Sequence, residues 1–229
     1  AVKGNAVWTG KIGLAPDRIL TQPLRWARGR RVFVNTMGDH IHESMPDAWI
    51  DRVFAVMALA PQHTFLVLTK RSARMRVYIS DASGRIADAV QPLRTDDRAV
   101  GPLPHLDGGQ RWYPLANVWL GVSAEDQQRA DERIPDLLAT PAAKRFVSCE
   151  PLLGPISLRW LAAFPENAPT TAMKPGAVDT NELDGLRRLD WVIAGGESGP
   201  GARPLHPDWA RGLRDQCVAA RVPFFFKQW

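Results

Sequence analysis

The chain has 229 residues, 45% of them hydrophobic and 23% charged, and its 29 basic and 24 acidic residues give a formal net charge of +5. This is an ordinary globular balance, so one domain over residues 1–229 is expected. No apolar stretch reaches the roughly 18 residues of a transmembrane helix, and Ala1 to Gly13 lacks the pattern of a secretory signal, which argues against a membrane partner. Two cysteines, Cys149 and Cys217, cannot build a disulfide framework, so a cytoplasmic location is expected.

Six short apolar segments predict buried strands, because they are rich in β-branched and aromatic residues and are bounded by polar or Gly/Pro residues. Continuous apolar runs of this kind are typical of parallel strands. The segments are 31–36, 64–69, 117–123, 145–149, 190–194 and 222–226.

Helical patterns lie between several of these strands, at 47–59, 124–138 and 207–220. Strands that alternate with helices predict an α/β fold with right-handed crossovers, here a partial (β/α)6 barrel-like parallel sheet. Two segments, 80–114 and 164–186, are poor in apolar periodicity and are predicted to be irregular insertions.

Polar residues collect just after the predicted strands. In parallel α/β folds the ligand site forms at the carboxyl ends of the strands, where the loops of several units meet. We therefore expect a ligand site there, and no catalytic residue can be named within it. The candidate residues are Asn35, Asp39, Lys70, Ser123, Glu150, Glu197, Ser198 and Lys227.

Several of these residues have alternative interpretations. The carboxylates of Asp39, Glu150 and Glu197 could bind amino or hydroxyl groups, or could form ion pairs with basic residues such as Lys70, Arg203 and Lys227. The basic residues around 71–76 could contact phosphate or form a solvated face.

A metal site is the weakest of the alternatives. His40 and His42, with Asp39 and Glu43 nearby, could bind a metal ion or serve a hydrolase, but their spacing matches no zinc motif. Two histidines without a third ligand give no metal site, so none is predicted.

Ten short motifs in the same order suggest a family. They are VWTG at 7–10, QPLRW at 22–26, RVFVNTMGD at 31–39, HE at 42–43, PQHT at 61–64, LTKR at 68–71, VWLGVS at 118–123, CEPLLG at 149–154, WVIAGGESG at 191–199 and FFKQW at 225–229. With these motifs the chain resembles a phage-associated domain-of-unknown-function family related to radical S-adenosylmethionine proteins. The resemblance implies a radical-SAM-like partial barrel.

In that family the resemblance implies an iron–sulfur cluster, held by cysteines that would precede Val7. Three thiolates are the minimum for such a cluster, and Cys149 and Cys217 cannot replace them. No cofactor is therefore expected in this chain, whereas an iron–sulfur cluster and S-adenosylmethionine are expected if an upstream cysteine segment exists.

The first functional hypothesis is a non-catalytic phage accessory protein that uses the barrel as a binding scaffold in the host cytoplasm. The resemblance implies a recombination directionality factor that binds a serine integrase and promotes excision; another phage or host protein is the alternative partner, and DNA would be reached through the partner. The expected contact residues are Arg71, Arg74, Arg76, Trp112 and Tyr113.

The alternative hypothesis is a radical S-adenosylmethionine iron–sulfur enzyme that acts on nucleic acid or a nucleotide, seen without its cluster segment. In this case the residues at the strand ends would position the polar groups of the cofactor. Because (β/α) scaffolds host many chemistries, the fold alone does not choose between the two hypotheses.

Overall fold

The computed structural model describes residues 13, 15–34, 38–94, 112–159, 161–162 and 182–229. Six parallel strands form one sheet that curls into a half-barrel, and their order in the sheet follows their order in the chain. This confirms the predicted partial barrel. The six strands are Arg31–Val34 (β1), Thr64–Thr69 (β2), Val118–Ser123 (β3), Lys144–Cys149 (β4), Trp191–Ala194 (β7) and Phe224–Phe226 (β8); between β4 and β7, Leu161–Ala162 (β5) and Glu182–Leu183 (β6) form a short antiparallel pair.

The helices that follow β1 in the chain pack against one face of the sheet. Within the described part of the chain none of them is long and apolar enough to cross a membrane. The helices are Asp17–Leu20 (α1), Asp47–Leu59 (α2), Ser72–Asp81 (α3), Ser83–Val90 (α4), Gln127–Ala139 (α5) and Pro207–Ala220 (α6).

The main core lies between the sheet and these helices. Alternate strand residues such as Val67, Val122 and Val147 are fully buried against apolar residues of the helices, including Phe54 of α2 and Ile134 of α5. Each such side chain contributes roughly 1.5–3 kcal/mol when it is removed from water. Burial on this face therefore holds the helices on the convex side of the sheet.

The opposite, concave face carries a row of aromatic rings, which we call the aromatic row: Phe33, Trp119, Phe146, Trp191 and Phe225. Neighbouring ring centroids lie 6.0–6.5 Å apart. Phe146 is fully buried at the centre of the row, whereas Phe33 at one end is 40% exposed and Phe225 at the other is 50% exposed. The concave face is thus apolar along the aromatic row, and both ends of the row are partly exposed to solvent.

Gly121 of β3 makes this packing possible. It pairs with Phe146 in the neighbouring strand, and a Cβ atom at Gly121 would lie 2.5 Å from the Phe146 ring. Only a residue without a side chain lets the ring lie across the backbone of β3.

The structure differs from the prediction in the segment 80–114. Its described first part is helical: α3 continues to Asp81, and α4 follows with Ile86 and Val90 buried. The prediction was wrong here because the polar residues of α4 obscured an i, i+4 apolar pair. Residues 95–111 of this segment, and 163–181 of the segment 164–186, lie outside the described residues.

Replacing Gly121 with alanine is expected to lower the free energy of unfolding by about 1–3 kcal/mol, because the methyl group overpacks against the Phe146 ring. Urea unfolding measures the change. Gly212→Ala is the matched control: Gly212 lies within α6, and outside the adjacent helix backbone nothing lies within 4 Å of the position that its Cβ would take, so alanine there should stabilise by about 0.5–1 kcal/mol. Equal effects of the two substitutions would contradict the packing argument.

Candidate functional site at the carboxyl edge of the half-barrel

The strand register brings most of the predicted site residues to one edge of the sheet. The last residue of β3, Ser123, pairs with Ser148 of β4. The last residue of β4, Cys149, pairs with Ala194, the last residue of β7. Residues Lys70, Glu150 and Lys227 follow directly after β2, β4 and β8. By the two-residue alternation along strands, these three side chains share the concave face with the aromatic row.

Asp39 ties the loop after β1 to the end of β2. Its Oδ1 accepts hydrogen bonds from the Thr69 hydroxyl (2.7 Å) and the Ile41 amide (3.0 Å), and its Oδ2 accepts from the Lys70 amide and from Arg71 Nη1, both at 3.0 Å. Burial acts to raise the pKa of Asp39, but these hydrogen bonds hold it below its ordinary value. A carboxylate offers about four acceptor positions, so Asp39 is saturated and serves as a structural anchor.

Glu125 is the centre of a second cluster. Its carboxylate is 10% exposed and forms ion pairs with Lys70 and with Arg133, the latter at 2.9 Å. Burial acts to raise the pKa of Glu125, and the interactions with Lys70 and Arg133 lower it further than burial raises it. Arg133 also donates to the Ser123 carbonyl, so the loop after β3 is fixed to α5. No sequence pattern singles out Arg133 for this role.

Glu150 forms a third cluster at the opposite side of the edge. Its Oε2 accepts a hydrogen bond from the Ser148 hydroxyl (2.9 Å), and its Oε1 lies 3.2 Å from Lys227 Nζ. Gly195 leaves room for this carboxylate, because a Cβ atom there would lie 2.9 Å from Glu150 Oε1. Of the basic partners that the sequence offered for Glu150, the structure pairs it with Lys227. Lys70 pairs with Glu125 instead.

The remaining strand-end candidates lie further out or outside the described residues. Glu197 accepts hydrogen bonds from the Arg203 side chain at 2.8 and 2.9 Å and from its amide at 2.9 Å, which lowers the pKa of Glu197 to about 2. The ion pair between Glu197 and Arg203 is one of the two alternatives that the sequence left open for Glu197; the other was a role in ligand binding. Ser198 is exposed beside Glu197, and Asn35 is not among the described residues.

The histidines after β1 do not come together as metal ligands. His40 is buried, whereas His42 is partly exposed and accepts a hydrogen bond from the Ser44 amide through Nδ1. Glu43 pairs with Arg71 Nε at 3.3 Å. Across the described ranges, no group of three His, Cys, Asp or Glu side chains is placed to hold a metal ion.

The residues expected to contact a partner are engaged within the chain. Arg74 Nη2 donates to the Met45 carbonyl (2.6 Å) and to Asp47 (2.9 Å), and Arg76 lies 3.3 Å from Asp136. The Tyr113 hydroxyl donates to the Ile79 carbonyl at 2.6 Å. Trp112 is half-buried against the core, and Arg71 binds Asp39 and Glu43. These contacts account for the residues structurally and do not test their role in binding a partner.

Neither cysteine fits an iron–sulfur cluster. Cys149 and Cys217 are both fully buried in the core on the helical side of the sheet. Burial raises the pKa of both thiols, that of Cys217 to about 12. Both side chains contribute to the core, and two thiols fall short of the three that such a cluster needs.

Asp39→Asn is expected to lower the free energy of unfolding by about 2 kcal/mol at neutral pH, because the charged hydrogen bonds at a largely buried carboxylate are lost. The folded-state pKa of Asp39 is depressed, so its stabilisation is present above the ordinary value of 3.8 and is lost as pH falls through the depressed value. Urea unfolding at several pH values measures this. Asp17→Asn, which removes an exposed partner of Arg52, is the control and should cost little at any pH. If Asp39→Asn still lowers the free energy of unfolding in strong acid, the stabilisation does not come from the ionised carboxylate and the prediction is contradicted.

Comparison with known proteins gives the family and nothing finer. No curated protein and no solved structure matches the chain. The family described as Protein of unknown function (DUF5131) matches residues 2–229, which is nearly the whole sequence. The chain therefore belongs to the DUF5131 family.

Proposed function

We propose that the concave face of the half-barrel binds a small ligand that carries a planar ring and charged groups of both signs. The observation that carries this proposal is that the aromatic row and the Glu150–Lys227 pair lie on the same face of the same strands. Phe225 precedes Lys227 by two residues in β8 and its extension, which corresponds to about 7 Å along the strand. A ligand that contacts both would be of nucleoside size or larger.

The charged groups at the edge favour a zwitterionic ligand over a uniformly anionic one. Glu150 can accept hydrogen bonds from an ammonium group, and Lys227 and Lys70 can donate to a carboxylate or phosphate. Both lysine side chains are half exposed, whereas the carboxylates that they contact are largely buried. The lysine ends can therefore turn to a ligand while the carboxylates keep their places.

The aromatic row supplies a surface for the planar ring. Phe225 and Phe33 are the open ends of the row, and Trp119 and Trp191 between them are partly buried. Stacking of a nucleobase on an aromatic side chain contributes roughly 1–3 kcal/mol. The ligand would stack on the part of the row nearest the charged edge, at Phe225.

S-adenosylmethionine, the cofactor that the family resemblance implies, has this chemistry. Its adenine would lie on the aromatic row, and its amino and carboxylate groups would be held by Glu150 and Lys227. When bound with a reduced iron–sulfur cluster, such a cofactor supplies radical chemistry. The residues of the concave face bind and orient it, and Cys149 and Cys217 contribute no cluster ligand.

Lys227→Met is expected to weaken binding of S-adenosylmethionine about tenfold in isothermal titration calorimetry. Charged hydrogen bonds contribute about 1.5–3 kcal/mol, and the lower end of this range applies because solvent screens the half-exposed lysine. Lys144→Met is the matched control: Lys144 is also half exposed and paired with a carboxylate, Asp190, but at the amino ends of the strands. Failure of the unmodified protein to bind, or an equal loss in both variants, would contradict the proposal.

The same titration separates the two halves of the ligand. Phe225→Ala should weaken binding of adenosine at least fivefold and leave binding of methionine unchanged, because only the base stacks on the ring. Val218→Ala, which shortens an exposed apolar residue on α6, is the control and should change neither affinity. Equal sensitivity of both ligands to Phe225→Ala would argue against stacking.

Binding of a phage integrase, or of another phage or host protein, is a second proposal. It is supported by the family resemblance and by Trp229, which is 66% exposed and packs against Phe226 of β8, with the two ring centroids 4.7 Å apart. Tryptophan is enriched among the residues that dominate protein interfaces. Trp229→Ala should then reduce co-purification with the integrase several-fold, whereas Val77→Ala on the exposed side of α3 should not; retention of the integrase by the Trp229 variant would remove this residue from the proposal.

A further inference from the structure

A cavity of about 380 Å³ lies at the free side of β1, between this strand and α2. Its walls are mostly apolar, with Trp26, Phe33, Met45, Trp49 and Val53 among the residues that shape it, and the segment before β1 completes them, including the polar residue Gln22. Ligand pockets in proteins commonly measure about 300–1,000 Å³, and an engineered apolar cavity of about 150 Å³ is large enough for benzene. This cavity therefore has room for a molecule with one or two rings.

His40 brings one buried polar side chain, an imidazole, to the wall of the cavity. The residue lines the cavity and is only 5% exposed, and its Nε2 has no hydrogen-bond partner among the residues that the structure describes. An unsatisfied buried polar atom costs about 1–3 kcal/mol, and such atoms are rare in folded proteins. A ligand that supplies the missing partner would recover this cost.

The imidazole is uncharged under ordinary conditions. Burial lowers the pKa of His40 to about 4, in spite of the nearby Asp39, which acts to raise it. A neutral imidazole nitrogen either accepts or donates one hydrogen bond, depending on the tautomer. Because burying a charged group in a mostly apolar cavity is costly, the polar group of a matching ligand is a neutral one, such as a hydroxyl.

We propose that this cavity is a second binding site, which takes a small aromatic molecule with one neutral polar group hydrogen-bonded to His40 Nε2. Lys70, Glu125, Glu150 and Lys227 do not line the cavity, so the site is distinct from the carboxyl-edge cluster; it shares Phe33 with the aromatic row, at the end opposite Phe225. The proposal does not depend on the function proposed above. The apolar walls of the cavity supply most of the affinity, and His40 selects for a ligand that carries the polar group.

Phenol and toluene are the probes, because they have nearly the same shape and differ in the hydroxyl group. Calorimetric titration of the full chain with each probe gives the ratio of the two affinities. Replacing His40 with leucine should lower the preference for phenol over toluene by roughly 2- to 12-fold, the equivalent of the net contribution of one hydrogen bond.

Two further variants test the position of the site. Val53→Phe, which places a larger side chain in the cavity wall, should weaken both probes at least tenfold, whereas Val77→Phe on the exposed side of α3 should change neither. The His40→Leu protein should also unfold at higher urea concentration than the unmodified protein, since an unsatisfied polar atom is removed. The proposal is overturned if neither probe binds, if His40→Leu leaves the affinity ratio unchanged, or if a correctly folded Val53→Phe protein binds as well as the original.

Discussion

The structure depends on the alternating direction of side chains along six parallel strands that are held in register. Val192 and Ala194 of β7 face the helices, while Trp191 and Ile193 face the concave side. The same alternation places the Cys149 thiol in the core and carries the next residue, Glu150, to the concave edge. A shift of one residue in any strand would exchange core and site positions, so the burial that stabilises the sheet also fixes the geometry of the candidate site.

The carboxylates of the edge are paired within the chain, and this has a consequence for the proposed ligand site. Glu125 and Glu150 are 10% and 20% exposed, whereas their lysine partners are about half exposed. A buried carboxylate that keeps a hydrogen bond from Ser148 or an ion pair with Arg133 loses little when its lysine turns to a ligand. For the proposed ligand, the cost of binding would then be mainly the ordering of flexible lysine side chains, which is smaller than that of desolvating an unpaired carboxylate.

The sequence predicted the strands and the edge more fully than the helices or the aromatic row. Continuous apolar runs identified the strands, and parallel strands place their carboxyl ends together whatever the details of packing. Helix α3 was missed because basic residues interrupt it, although Met75, Tyr78, Ile79 and Ala82 follow the i, i+3, i+4, i+7 spacing of a buried helical face. The aromatic row was missed because its rings come from different strands, and only the register shows that they meet.

The basic residues of α3 show why charge on a sequence is a poor guide to a binding surface. Arg74 joins the loop after β1 to the helix through the Met45 carbonyl and Asp47, and Arg76 joins α3 to α5 through Asp136, which also accepts from Ser72. Reversing the charge of either arginine would therefore bring two carboxylates together inside the protein and weaken its packing. Loss of partner binding in such variants would report a damaged fold as readily as a lost interface. Phe225 and Trp229, at the β8 end of the half-barrel, are 50% and 66% exposed and carry no charge, so a substitution there removes less buried packing and separates the two effects better.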